Sequence, residues 1–370
     1  MATQGTGRKV GVVLSGGGAK GAFEVGVLKA LESRGIRPDI YCGTSVGSFN
    51  AAMAASGKTP AQIEKVWTAM TTRDVFTPRF DPMDLFNPDP RVQFKLALQS
   101  AKSLGSLLSQ TLRQSGKWWQ ALDLDDFLLN TAPLHALIER NVDIQAVRRL
   151  GGRFSVALTR LKPSQGDALQ LVDGSTMTHR HIVASTSIPL IFPPIETDGG
   201  IFCDGGVVMN SPLKPAISAG AEDIFVVDIT PPPSTFDGGT LPLAYHVLSA
   251  QFSSALHRDI QYANDLNAQY MAAFYEGRLS EGKLEVRSMY KRTRAAPELK
   301  VSRYRYLRIV VISPSTDLGG LKGLLSFEPD NARKLIADGE ECTQRVLDLY
   351  SEEEVEATDG AHLRMLVSRA

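Results

Sequence analysis

Two separated stretches of this chain carry residues that could make and break an acyl bond. In one, the apolar run Ile40 to Cys42 drives into Gly43-Thr44-Ser45-Val46-Gly47, and an alanine-rich helical pattern follows. Gly-x-Ser-x-Gly between a strand and a helix describes a nucleophile elbow, a sharp turn that pushes one side chain out at the strand's C-terminal end. Ser45 is the side chain pushed out. Gly43 and Gly47 are small for a steric reason, because a Cβ at either would clash with the adjoining strand or helix. A serine hydroxyl is almost wholly protonated at neutral pH, so the elbow needs a base. Six histidines are present and none has a spacing that marks it as the partner. His179 and His181 lie two apart without a third ligand to make a metal motif, His246 and His257 share a long helical pattern, His135 stands near a helix start, and His362 is in the tail. The second stretch answers better. Ile201-Phe202-Cys203-Asp204-Gly205-Gly206 ends a short apolar strand in a carboxylate and two glycines.

A third stretch, Ser15-Gly16-Gly17-Gly18-Ala19-Lys20-Gly21, follows the apolar run Val10 to Leu14 and opens a helix. Gly16, Gly18 and Gly21 also fit the dinucleotide fingerprint, which wants an acidic residue closing the next strand. Asp39 opens that strand instead. A P-loop fails on spacing, since Gly21 follows Lys20 and the required Gly-x-x-x-x-Gly does not precede it. Consecutive amides at a helix N-terminus suit an oxyanion hole, a contribution of roughly 3 to 4 kcal/mol for one donor.

Ahead of the carboxylate runs Ala184-Ser185-Thr186-Ser187-Ile188-Pro189-Leu190-Ile191-Phe192-Pro193-Pro194, and behind it Asn210-Ser211-Pro212. Taken in this order over about residues 9 to 212, the blocks resemble the patatin-like phospholipase family. The resemblance implies a Ser-Asp dyad in place of a triad, with Ser45 as nucleophile and Asp204 as base. It also assigns Gly16, Gly17 and Gly18 to the oxyanion hole and Lys20 to the basic position after them, with Gly43, Gly47, Gly205, Gly206 and Asn210 in support. The expected activity is hydrolysis of fatty acyl esters of (lyso)phospholipids through an acyl-enzyme on Ser45. Neutral-lipid esterase, acyl thioesterase and non-catalytic lipid-binding module are the alternatives. No metal or organic cofactor is implied. A carboxylate with an ordinary pKa near 4 is a poor base for this work. Asp204 is therefore expected to have a raised pKa, from burial near Phe202 and Phe192, in an enzyme slower than a histidine triad.

The elements that must position these groups follow from periodicity. Val25, Leu28 and Leu31 share a face of the helix after the glycines, which Gly35 stops. Later strands at 152–161, 168–174, 201–204, 223–230 and 306–313 alternate with helices, the longest at 244–276, and a closing helix at 328–350 precedes an acidic segment expected to fray. Alternation predicts an α/β three-layer sandwich with a mostly parallel central sheet and a site at the strands' carboxyl ends. The expected organisation is a single domain over 1–370, with a helical cap at about 73–132 and a C-terminal extension at about 240–352. In the cap, Leu104, Leu107, Leu108 and Leu112 make one apolar face and Trp118 and Trp119 follow. That face packs on the core or, in the sharper reading, meets lipid, and replacing both tryptophans would then weaken vesicle binding while sparing a soluble ester. A basic stretch from Arg287 to Arg308 reads as a solvated strand edge, with an anionic headgroup patch as the rival.

Composition narrows the classes further. Forty basic residues balance 40 acidic ones in 370, with 43% hydrophobic, which suits a large globular core and argues against nucleic acid. The first strand begins too early for a signal peptide, and no run reaches the 18 apolar residues of a membrane span. Three unpatterned cysteines suit a reducing compartment. The expectation is a cytoplasmic protein that touches membranes peripherally to reach its lipid substrate.

Overall fold

The computed structural model describes residues 8–78, 129–162, 168–189, 191–230, 240–290, 298–314 and 318–356. The leucine and tryptophan face of the expected cap, Lys291, Arg292 and Arg294 of the basic stretch, and His362 lie outside the described residues. The chain opens as β1 (Val10–Leu14), α1 (Ala22–Ser33), β2 (Ile40–Thr44) and α2 (Val46–Ala55). Next come α3 (Pro60–Ala69), begun by a Thr59/Gln62 capping box with Pro60 in the first turn, α4 (Thr72–Val75) and β3 (Thr77–Pro78). After residues 79–128 the chain re-enters at β4 (Leu129–Asn130), which pairs antiparallel with β3. It continues through α5 (Ala132–Asn141), α6 (Ile144–Leu150), β5 (Phe154–Arg160), β6 (Leu169–Asp173), α7 (His179–Ser185), β7 (Ile195–Thr197) and β8 (Gly200–Asp204). The remainder is α8 (Leu213–Ser218), β9 (Asp223–Val227), α9 (Thr240–Tyr275), the hairpin β10 (Leu284–Tyr290) and β11 (Glu298–Tyr304), β12 (Arg308–Ile312), α10 (Gly320–Leu325) and α11 (Pro329–Glu356).

An eight-stranded sheet in the order β12-β9-β1-β2-β5-β8-β7, with β6 on β5, forms the middle layer. β12, β9, β1, β2 and β5 are parallel, β6 and β8 each pair antiparallel with β5, and β7 pairs antiparallel with β8, which returns it to the direction of the parallel set. Alternation along the strands sorts side chains to two faces. Val12, Leu14, Phe225, Val227, Val310 and Ile312 point into one apolar cluster with α1, α2, α3, α5 and α11. Val13, Ile224, Val226 and Val311 point into the other, against Leu213 and Ile217 of α8 and Leu256, Ile260 and Leu266 of α9. Both faces of the parallel strands are covered, which is the three-layer α/β architecture expected from the sequence. One boundary differs. α11 continues to Glu356 through the acidic segment expected to fray, because Ser351–Glu356 contains no glycine or proline and glutamate is a good helix former.

Candidate active site

Ser45 sits between β2 and α2 with φ 54° and ψ −130°, a backbone conformation that a side chain adopts only when its surroundings force it. The forcing comes from close packing on both sides. A Cβ on Gly47 would stand 2.3 Å from the carbonyl oxygen of Leu14 at the end of β1, and one on Gly43 would stand 2.5 Å from the Gly47 carbonyl. The turn is therefore closed against strand and helix at once. Two groups hold its backbone. Ser185 Oγ, at the end of α7, accepts from the Ser45 amide at 2.9 Å and donates to the Ala157 carbonyl at 2.9 Å, while the Thr44 hydroxyl donates to the Met209 carbonyl at 2.9 Å.

Asp204 reaches the same point from the opposite direction. β8 pairs antiparallel with β5, Arg160 against Phe202 and Leu158 against Asp204, so its C-terminal end arrives level with the elbow, where Ala157 pairs with Thr44. Ser45 Oγ donates to Asp204 Oδ2 at 2.5 Å, and the Gly206 amide donates to Oδ1 at 2.7 Å. The strand end is fixed by the Thr159 hydroxyl on the Asp204 carbonyl and by the Asp204 amide on the Ser187 carbonyl, both at 2.8 Å. Asp204 is only 6% exposed and Ser45 5%. Burial pushes the Asp204 pKa up to about 7, against the opposing pull of the Ser45 and Gly206 hydrogen bonds. Phe202 and Phe192 are both buried in the apolar cluster. Gly205 is required here because a Cβ would fall 2.1 Å from the Ala157 carbonyl oxygen.

The glycine loop leans on both groups. A Cβ on Gly16 would lie 3.0 Å from Ser45 Cβ and 2.5 Å from Asn210 Oδ1, so Gly16 brings bare backbone against the serine. Its own amide donates to the Asn210 carbonyl at 3.3 Å, whereas the amides of Gly17 and Gly18 are engaged by no other group among the described residues. Those two amides are left open in the loop whose Gly16 packs against Ser45. Asn210 Nδ2 donates to Thr230 Oγ1 at 2.9 Å, and Thr230 in turn hydrogen-bonds buried Asp228, whose pKa burial raises. Ser15 Oγ accepts from the Ile229 amide and donates to the Val227 carbonyl, anchoring the loop's start to β9. Lys20 does not face the dyad as a free cation. It is buried, donates through Nζ to Tyr245 Oη of α9 at 2.5 Å and lies 4.9 Å from that ring's centroid.

From Ser45 an apolar cleft enclosing about 460 Å³, its open mouth included, runs into the cluster on the α2 face. Val46, Phe49, Trp67, Leu134, Ile188, Phe192, Leu324 and Phe327 wall it, together with Gly18. Two of the described histidines, His179 and His181, direct their ring nitrogens away from Ser45 and Asp204. His181 meets Asp198 at 2.7 Å, and His179 meets the Val142 carbonyl at 3.0 Å. Among the described residues no group of three His, Cys, Asp or Glu side chains could hold a metal. Asp39, which opens β2 where the dinucleotide reading wants an acidic residue closing it, accepts from the Val10 amide at 2.9 Å. Cys42 and Cys203 are buried free thiols with pKa values pushed up to about 12 by burial, so neither is a thiolate. Sequence reasoning missed Ser185, Thr159, Thr230 and Asp228, although Ser185 stands inside the proline-flanked block that was singled out.

The profile of the family described as patatin-like phospholipase matches residues 12–217. The lysophospholipase nte1 of Aspergillus niger is 29% identical over 226 residues, which make up 60% of this chain and 12% of that protein. Lysophospholipase NTE1 of Yarrowia lipolytica is 26% identical over 227 residues, 60% of this chain and 13% of its own length. This chain thus spans about an eighth of the curated relatives it matches. Among solved structures, VipD from Legionella pneumophila aligns with a TM-score of 0.38 at 15% identity, covering 92% of this chain and 67% of that one.

Proposed function

Because this chain belongs to the patatin-like phospholipase family, we propose that it is a serine lipid acyl hydrolase that cleaves fatty acyl esters of (lyso)phospholipids. The observation that carries the reading is the direct 2.5 Å bond from Ser45 Oγ to Asp204 Oδ2, with Ser45 lining an apolar cleft. Asp204 takes the hydroxyl proton as Ser45 Oγ bonds to the ester carbonyl carbon, and the oxygen that becomes negative is received by the Gly17 and Gly18 amides. Collapse expels the glycerol alcohol, as a lysophospholipid from a diacyl substrate or as a glycerophosphodiester from a lysophospholipid, and this alcohol recovers the proton from Asp204. Water, deprotonated by the same carboxylate, then attacks the acyl-enzyme and releases the fatty acid, and Ser45 regains its proton. A carboxyl titrating at about 7 is half ionised at neutral pH and matches this work far better than an ordinary aspartate. The apolar walls suit an acyl chain, and the printed names of the curated relatives favour a lysophospholipid among the phospholipids. Contact with a membrane surface belongs to the same proposal, since the substrate resides there; no helix among the described residues is long and apolar enough to cross a bilayer.

The test is fatty-acid release, read by mass spectrometry, from a panel of lysophospholipids, phospholipids, acylglycerols and acyl thioesters. The wild type is expected to release most from lysophospholipid, with Ser45→Ala and Asp204→Ala each reduced by about a thousandfold or more. Activity surviving in Ser45→Ala would contradict the reading, and a preference for thioesters or acylglycerols would move the substrate class.

A further inference from the structure

At the start of the helix that follows the glycine loop lies a carboxyl that the proposed chemistry does not use. Glu24, in the first turn of α1, is 0% exposed. Its Oε2 accepts from Asn50 Nδ2 at 2.8 Å, and its Oε1 has no hydrogen-bond partner among the described residues. Burial raises its pKa well above the ordinary glutamate value, opposed by the Asn50 amide and by the backbone amide of Ser15. Folding alone does not favour such a group, because burying a carboxyl with one unpaired oxygen is costlier than burying a methionine of similar length.

What the carboxyl does is fix one amide group. Asn50, five residues after Ser45 on α2, accepts at Oδ1 from Trp67 Nε1 at 2.8 Å and donates at Nδ2 to Glu24. A donor on one side and an acceptor on the other leave the side-chain amide a single orientation. In that orientation Nδ2 also donates to the Gly21 carbonyl at 2.9 Å. Gly21 closes the loop that Ser15 opens. Glu24 therefore bears, through Asn50, on Gly21 at the closing end of the segment that carries the Gly17 and Gly18 amides. We propose that Glu24 is a positioning residue for the oxyanion loop, holding it in register with Ser45 through Asn50 and Trp67. The catalytic consequence rests on the hydrolase reading above, and the geometric one does not.

The test compares the wild type with Glu24→Met, Glu24→Gln, Asn50→Ala and the Glu24→Met/Asn50→Ala double variant. It reads kcat and KM on a lysophospholipid together with amide hydrogen exchange of the peptide spanning residues 15–21. Glu24→Met and Asn50→Ala are expected to lose about tenfold or more in kcat with KM within about threefold, and to exchange the loop amides about tenfold faster. The double variant should be no worse than the weaker single, because both break one linkage. Glu24→Gln, which presents the same acceptor to Asn50, should stay within about threefold of the wild type in both readouts. Folded Glu24→Met with wild-type kcat and exchange would overturn the proposal, as would a loss in KM alone or Glu24→Gln as impaired as Glu24→Met. If Glu24→Met does not fold, Asn50→Ala carries the same prediction with Glu24 intact. A wild type inactive on every ester would remove the hydrolase reading and leave the exchange measurement to decide this one.

Discussion

A buried aspartate bonded to a serine hydroxyl is a costly residue, and its cost has a sign in pH. The Asp204 pKa is about 7 in the folded protein and near the ordinary value of about 4 once unfolded, so between those limits the folded state binds more protons. Stability is therefore fully present at low pH and falls as pH rises from about 4 through 7, by an upper bound of about 4 kcal/mol. Asp204→Asn removes that penalty while keeping an acceptor for Ser45. We expect the variant to melt several degrees higher than the wild type at pH 8, with the advantage shrinking toward pH 5, in thermal scans monitored by circular dichroism. An Asp204→Asn protein that melts lower at pH 8 would show that the carboxylate is stabilised where it sits.

At the scale of elements, the site depends on helices and strands that nearly touch. Gly47 is the clearest case, since a Cβ would overlap the carbonyl at the end of β1 and could be accommodated only by moving α2 or β1. Gly47→Ala is expected to lower stability by about 2 kcal/mol or more and to reduce kcat through displacement of Ser45, whereas Gly152→Ala, with open space around it, should be neutral in both. Calorimetry with parallel kinetics separates them. The same locality explains what was legible beforehand. The elbow, the glycine loop and the Asp204 strand end are each written in six to nine consecutive residues, an apolar run broken by glycines. Ser185 was not legible in that way, because its role depends on α7 ending 140 positions from Ser45 yet against its amide. Glu24, Thr230 and Asp228 are alike in this. A glutamate in a first helical turn reads as an ordinary favourable charge at a helix N-terminus, and only the packing of α1, α2 and α3 around it makes it a buried acid.

At the scale of the molecule, the family match ends at residue 217, but the sheet does not. β9 pairs with β1 along its whole length, β12 forms the sheet edge, and Leu324 and Phe327 wall the cleft, so the later part of the chain completes both core and pocket. Pro78 and Leu129, the described residues on either side of 79–128, are paired neighbours in β3 and β4. Replacing 80–127 by a short glycine-containing turn is expected to leave melting temperature nearly unchanged and soluble-ester hydrolysis intact, while reducing release from lipid vesicles; collapse of the fold would show instead that this segment supplies core. The central claim, that Asp204 is the base for Ser45, is tested most directly by kcat/KM for a soluble ester between pH 5 and 9. The ratio should rise about tenfold per pH unit below an inflection near 7 and reach a plateau above it, with the inflection absent from any residual activity of Asp204→Asn. A flat profile across that range, or an inflection that survives in Asp204→Asn, would contradict that claim.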